Sequence, residues 1–236
     1  MARIIEVDAL RGVAIILMVI YHVIFDINYF GIAQIDIYSL PVVLFQRTIG
    51  SLFLLLVGVS LTLSDRGNKE GYSRHLKRAG MLAAAALGIT LATWIYPHDG
   101  FITFGIIHFI AFAAAAGPLF LRFGRLNLLL GILAILAGLM AGGIEVEQGY
   151  LFWLGLADAG YTALDYYPVL PWFGVVLIGI YAGEALFPRG VARVRIAPSK
   201  PAEALAFLGR NSLLAYLIHQ PVIIGILMVL MALGIV

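Results

Sequence analysis

Seven runs of apolar residues, each about 20 long, leave a chain of this kind almost no choice of fold. They extend over 9–30, 41–63, 76–96, 101–121, 126–143, 170–186 and 211–235. In hydrocarbon a backbone has to satisfy its own hydrogen bonds, and runs of this length do so as helices. The expected fold class is all-α: a polytopic membrane helix bundle of about seven transmembrane helices, forming one domain over 1–236. Composition agrees, since 62% hydrophobic residues, 12% charged residues and a mean hydropathy of +1.02 exclude an ordinary soluble domain. There is no cysteine, which removes disulfides, thiolate metal sites and a cysteine nucleophile. The opening run is long, is interrupted by polar groups and precedes no A-x-A-like site, so it does not read as a cleaved signal.

Basic residues orient the spans. Arg66, Lys69, Arg74, Lys77 and Arg78 follow the second run, and Arg122 and Arg125 follow the fourth. Arg189, Arg193, Arg195, Lys200 and Arg210 follow the sixth, while Arg3 and Arg11 open the first. Segments 31–40, 97–100 and 144–169 hold no Lys or Arg. The positive-inside rule then sets the N-terminus in the cytoplasm and the C-terminus outside, in a multi-pass protein of the cell membrane. Arg47 alone breaks the pattern, at the outer end of the second run. The pI near 8.9 reflects this loop charge and implies no nucleic-acid partner. Trp94, Tyr96, Phe101, Tyr29, Tyr38 and Trp172 fall at outer ends, as an aromatic belt should. Gly80/Ala84/Gly88, Gly138/Gly142 and Gly179/Gly183 have the small-xxx-small spacing of close helix packing. Segment 144–169 is acidic (Glu145, Glu147, Asp158, Asp165) and aromatic, and would suit a short helix lidding an external cavity.

The first run carries ionisable groups that a membrane helix keeps only for a reason: Asp8, Arg11, His22 and Asp26. At about 100° per residue, measured from His22, Asp8 and Asp26 lie near +40° and Arg11 near −20°. One narrow face therefore holds all of them. At about 1.5 Å per residue, His22 lies roughly 12 Å inside its outer end, His108 roughly 10 Å below Phe101, and His219 roughly 14 Å above Arg210. Three of the five histidines are thus expected in one layer of the membrane. His22 and Asp26 are i, i+4 neighbours, an arrangement that poises an imidazole as general base with the carboxylate orienting it. Ser212, Tyr216 and His219 share a face of the last run with Gln220 beside them, and Pro221 frees the carbonyl of Leu217. Apart from His22 with Asp26, helical pairs of ligand residues are missing, and no metal site is expected.

Arg3-x4-Asp8-x2-Arg11-Gly12-x-Ala14, followed by apolar residues and His22, resembles the opening of transmembrane acyltransferases. Further stretches resemble small prokaryotic members of the heparan-alpha-glucosaminide N-acetyltransferase catalytic-domain family. These are Arg47-Thr48-Ile49-Gly50-Ser51-Leu52-Phe53 with Gly58-Val59-Ser60-Leu61, Phe104-Gly105-Ile106-Ile107-His108, Asp165-Tyr166-Tyr167-Pro168-Val169-Leu170-Pro171-Trp172, and Leu208-Gly209-Arg210-Asn211-Ser212 running into Tyr216-Leu217-Ile218-His219-Gln220-Pro221. They occur in order from residue 3 to residue 221.

The resemblance implies transfer of an acetyl group from cytosolic acetyl-CoA to a sugar or amino-sugar acceptor outside the membrane. His22 matches a functional histidine of related sugar O-acyltransferases; it would act as general base, or as nucleophile through an acetyl-imidazole. The lysosomal relatives have asparagine there and a catalytic histidine further on, but residues 31–40 contain no histidine, so heparan itself is not implied as acceptor. The expected catalytic set is His22, Asp26, His108 and His219. Asp8, Arg11, Arg74, Arg78, Arg210, Asn211, Ser212 and Tyr216 are expected on the donor, a polyanion that needs basic groups at its cytoplasmic mouth. Arg47, Ser51, Asp165, Trp172 and Gln220 are expected around the acceptor, with Arg47 placed to neutralise Asp26 or Asp165. The partners are the lipid bilayer, acyl-CoA and a glycan acceptor, and a homo-oligomer is compatible with all of this. The rival is a small-molecule transporter or channel built on the same polar residues. A retinal protein is excluded because the last run has no lysine.

Overall fold

The computed structural model describes residues 4–66, 70–142, 144, 146, 149–158, 160–193, 197 and 199–236, with Arg189 as backbone alone. Arg3, Lys69, Gly143, Glu145, Glu147 and Arg195, and the side chain of Arg189, fall outside this description. Among the described residues there is no strand. The helices are α1 (Ile5–Tyr29), α2 (Leu40–Asp65), α3 (Tyr72–Ile95), α4 (Ile106–Ala116), α5 (Leu126–Ala141), α6 (Val169–Leu186), α7 (Lys200–Arg210) and α8 (Ser212–Ala232). A 3-10 segment, Gly117–Phe123, extends α4, and another, Gly149–Leu154, lies in the long connection before α6.

The fold is all-α and polytopic, as the apolar runs require. Among the described residues six helices are long and apolar enough to cross a membrane: α1, α2, α3, α4 with its 3-10 extension, α6 and α8. The fifth expected span, α5, is a shorter apolar helix of 16 residues. Two boundaries also differ. Residues 101–105 are not helical, so α4 begins at Ile106 rather than Phe101. The basic stretch before the last span contains a helix of its own, α7, started by Ser199, whose hydroxyl accepts from the N–H of Ala202, and by Pro201.

The chain divides into two compact units. The first holds residues 54–193 and the second residues 2–53 with 194–236, so α2 contributes to both. In the first unit glycine sets the spacing. A Cβ on Gly174 would lie 2.4 Å from the carbonyl oxygen of Gly131, which joins α6 to α5. One on Gly179 would lie 2.3 Å from that of Leu55, which joins α6 to α2. Of the small-residue spacings in the sequence, Gly138, Gly179 and Gly183 lie at such contacts, whereas Gly80 and Gly88 face open space.

In the second unit α7 lies along the first half of α1. A Cβ on Gly12 would meet the carbonyl oxygen of Leu205 at 2.1 Å, and one on Gly209 would meet that of Asp8 at 1.8 Å. Further along, Ile15 and Met18 of α1 bury against Ile49 of α2, with Phe45, Leu208, Ala215 and Tyr216 around them. Gly209→Ala should force these helices apart at a cost of about 1–3 kcal/mol. Gly80→Ala, in open space on α3, should be neutral or stabilising by up to about 1 kcal/mol. Thermal unfolding of the two variants in detergent checks this.

Candidate functional site

The second unit brings four of the expected polar residues together. His22 and Asp26 stand one turn apart on α1, and His219 and Gln220 are adjacent on α8. The two imidazoles meet edge to face with ring centroids 4.6 Å apart. His22 Nδ1 lies 2.9 Å from the carbonyl oxygen of Met18, and His219 Nδ1 lies 2.5 Å from that of Tyr216. A carbonyl oxygen only accepts, so in each neutral ring Nδ1 carries the hydrogen and Nε2 is the bare base. The Nε2 of His219 is buried with no hydrogen-bond partner. Beside the rings, Gln220 Nε2 donates to Asp26 Oδ1 at 2.8 Å, leaving Asp26 Oδ2 and Gln220 Oε1 buried and unpartnered. The atoms of this cluster that are buried and unpartnered among the described residues, His219 Nε2, Asp26 Oδ2 and Gln220 Oε1, are acceptors, and a group that meets them has to bring hydrogens.

This arrangement changes the expected roles. Asp26 does not orient His22, because the imidazole turns to its own helix backbone and the carboxylate turns to Gln220. Arg47 does not neutralise Asp26. On α2 the residues that face α1 are Phe45, Ile49 and Phe53, and Arg47 lies about 160° around the helix from Ile49, exposed. Ser51 is one turn beyond Arg47 on the same side, half-buried. At the start of α1, Arg11 is paired with Asp8 at 3.0 Å. Between that pair and His22 lies the apolar cluster of Ile15 and Met18, so the polar face of α1 consists of two separate patches. Asn211 holds the α7–α8 corner by donating to the carbonyl of Phe207 at 2.9 Å. Ser212 opens α8 half-buried, Tyr216 packs beside the apolar cluster, and Arg210 is exposed over the ring of Phe207.

The remaining expected residues belong to the first unit. His108 is the third residue of α4, about 3 Å along the helix from its start at Ile106. Its Nδ1 accepts from the N–H of Gly105 at 3.3 Å, which leaves Nε2–H to donate to the Thr90 hydroxyl at 3.0 Å. Thr90 in turn donates to the carbonyl of Ile102 at 2.7 Å. Both ring nitrogens are thus engaged in fixing the start of α4, and neither is bare. Asp165 does similar work: its Oδ2 accepts from the N–H of Ile106 at 2.8 Å, an acidic cap at a helix N-terminus. Trp172 packs on Tyr167. Arg74 and Arg78 are exposed in the first two turns of α3.

Two contacts had no signal in the sequence. The Thr103 and Tyr161 hydroxyls bond at 2.5 Å, and Tyr166 donates to the carbonyl of Phe152 at 2.6 Å. Burial pushes the Tyr166 hydroxyl up to about 12, so it keeps its hydrogen and remains a donor.

The sequence model of the heparan-alpha-glucosaminide N-acetyltransferase catalytic domain matches residues 3–221. The chain belongs to this family. No curated protein and no solved structure matches it. The match runs from the start of the chain through His219, Gln220 and Pro221, and so includes the whole four-residue cluster. This family member is a membrane protein of the transmembrane acyltransferase class, and the family's acyl donor is acetyl-CoA. Replacing Asp165 by Ala should remove the cap of α4 and cost about 1 kcal/mol of stability, which thermal unfolding in detergent checks.

Proposed function

We propose that the chain transfers an acetyl group from cytosolic acetyl-CoA to a sugar or amino-sugar acceptor on the external side, at the imidazole pair of α1 and α8. The observation that carries this is the tautomer state: both rings bond their Nδ1 to main-chain carbonyls, and so both present a bare Nε2 in one place. His22 Nε2 removes the proton of the acceptor's amine or hydroxyl as that atom attacks the thioester carbon. The carbon–sulfur bond breaks, and the imidazolium returns the proton to the CoA sulfur. His219 places a second base against the first.

Arg210, the last residue of α7 just before α8, suits the CoA phosphates, and His219 lies about 14 Å further along the chain axis on α8. The positive-inside distribution supports a cytoplasmic start for α8.

In membranes or detergent, His22→Ala should reduce transfer from radiolabelled acetyl-CoA to glucosamine by about 10²–10⁴-fold. Acetyl-CoA binding should be retained. Full turnover in this variant would overturn the mechanism, and flux of acetyl-CoA or glucosamine without acetylation would favour a transporter. Sidedness is checked separately. The chain contains no cysteine, so single cysteines at Tyr38 and at Lys77 report alone. A membrane-impermeant maleimide should label the first in intact cells and not the second.

A further inference from the structure

His22 and His219 sit ring on ring, yet among the described residues no hydrogen bond links either ring to the opposite helix. Each Nδ1 bonds the backbone of its own helix, so each ring is fixed relative to α1 or to α8. Their mutual geometry then depends entirely on how α8 is rotated and shifted against α1. Packing alone defines that weakly. Of the 21 residues of α8, only His219, Ile223 and Leu227 are buried, a single stripe at i, i+4 spacing about which a helix can roll. Pro221 adds a second freedom, because it lacks the N–H that would bond Leu217 and so loosens α8 one residue beyond Gln220.

At this level a polar bond crosses between the helices. Gln220 Nε2 donates to Asp26 Oδ1 at 2.8 Å, and Asp26 is only 2% exposed. Gln220 lies about 100° around α8 from His219, so this bond acts beside the apolar stripe rather than along it and resists rolling. Asp26 is anchored one turn beyond His22 on α1. Away from water such a bond has little competition.

From this we infer that Asp26 and Gln220 are positioning residues: their bond is a clip that holds the His219 ring against the His22 ring, and the Asp26 carboxylate does not enter the chemistry. The inference rests on the acyl-transfer reading of the imidazole pair for its kinetic consequence, but the geometry of the clip can be tested without turnover. The side-chain requirement is an oxygen on α1 and an amide N–H on α8. Asparagine at position 26 meets that requirement, and alanine does not.

The test compares Asp26→Asn, Asp26→Ala and Gln220→Ala with wild type by two readouts. The first is transfer of labelled acetyl from acetyl-CoA to glucosamine. Gln220→Ala and Asp26→Ala should lose kcat about 100-fold, the effect of misplacing a catalytic group by about 1 Å, with KM for acetyl-CoA unchanged. Asp26→Asn should recover most of kcat. The second readout is the rate at which diethyl pyrocarbonate modifies His219, followed by peptide mass spectrometry. The buried Nε2 should react several-fold faster in Gln220→Ala and at the wild-type rate in Asp26→Asn. An Asp26→Asn variant as inactive as Asp26→Ala would overturn the inference by showing that the charge is required. A Gln220→Ala variant with unchanged kcat and unchanged modification would overturn it by showing that the bond holds nothing. Should Asp26→Ala fail to fold, Gln220→Ala and Asp26→Asn decide alone. If wild type transfers no acetyl group, the proposed function fails, and the modification rates still decide the clip.

Discussion

A histidine buried in an apolar helix has few partners, and the carbonyl one turn back along its own chain is among the nearest. In α1 and again in α8 the imidazole takes that partner through Nδ1, from Met18 and from Tyr216. The consequence reaches the chemistry directly, since the nitrogen left over is Nε2 in both rings, and an unprotonated Nε2 is what an acyl-transfer site needs. Here a neutral backbone dipole does the orienting. His108 shows the opposite outcome of the same chemistry. Its Nδ1 accepts from a backbone N–H and its Nε2 donates to Thr90, and with both nitrogens engaged it serves the start of α4.

The division of α1 into two polar patches follows from packing. Its first half lies against α7 through Gly12 and Gly209, with backbones so close that no side chain fits between them. Where α7 ends, Ile15 and Met18 take over the contact with Ile49 and the neighbours of Tyr216. Only beyond that cluster does the helix face open onto His219 and Gln220. The Asp8–Arg11 pair therefore neutralises itself at one end of α1, and the half-buried His22 meets His219 at the other.

The all-α class and the six longest spans were legible because hydrocarbon imposes both length and apolarity on a spanning helix. The shared face of His22 and Asp26, and that of Tyr216 and His219, were legible from the 3.6-residue period. The start of α4 differs from the apolar run because Phe101 is apolar but not helical; the helix begins at Ile106, with the cap that Asp165 brings from far along the chain. No periodicity within 101–121 carries that information. The helix α7, by contrast, was readable in principle, since Ser199 and Pro201 are a helix start. The positive charges around it suggested a loop. The pairing of Asp26 with Gln220 was not readable at all. A carboxylate one turn from a histidine has a local partner in sequence, and only the approach of α8 supplies the better one.

That preference has a physical reason that bears on the chemistry. Bonded to His22 through Nε2, Asp26 would have held the ring as an imidazolium with Nδ1–H still on the Met18 carbonyl, and no bare nitrogen would have remained. With Gln220, the carboxylate receives one amide hydrogen and keeps Oδ2 free, while both imidazoles remain governed by neutral groups. The buried atoms left unpartnered among the described residues, His219 Nε2, Asp26 Oδ2 and Gln220 Oε1, are acceptors, while Gln220 Nε2 keeps a second hydrogen. On the proposed reading, each hydrogen that an incoming amine or hydroxyl brings to the imidazole pair meets a bare ring nitrogen, and the backbone bond that fixes Nδ1 is what leaves Nε2 to take the proton.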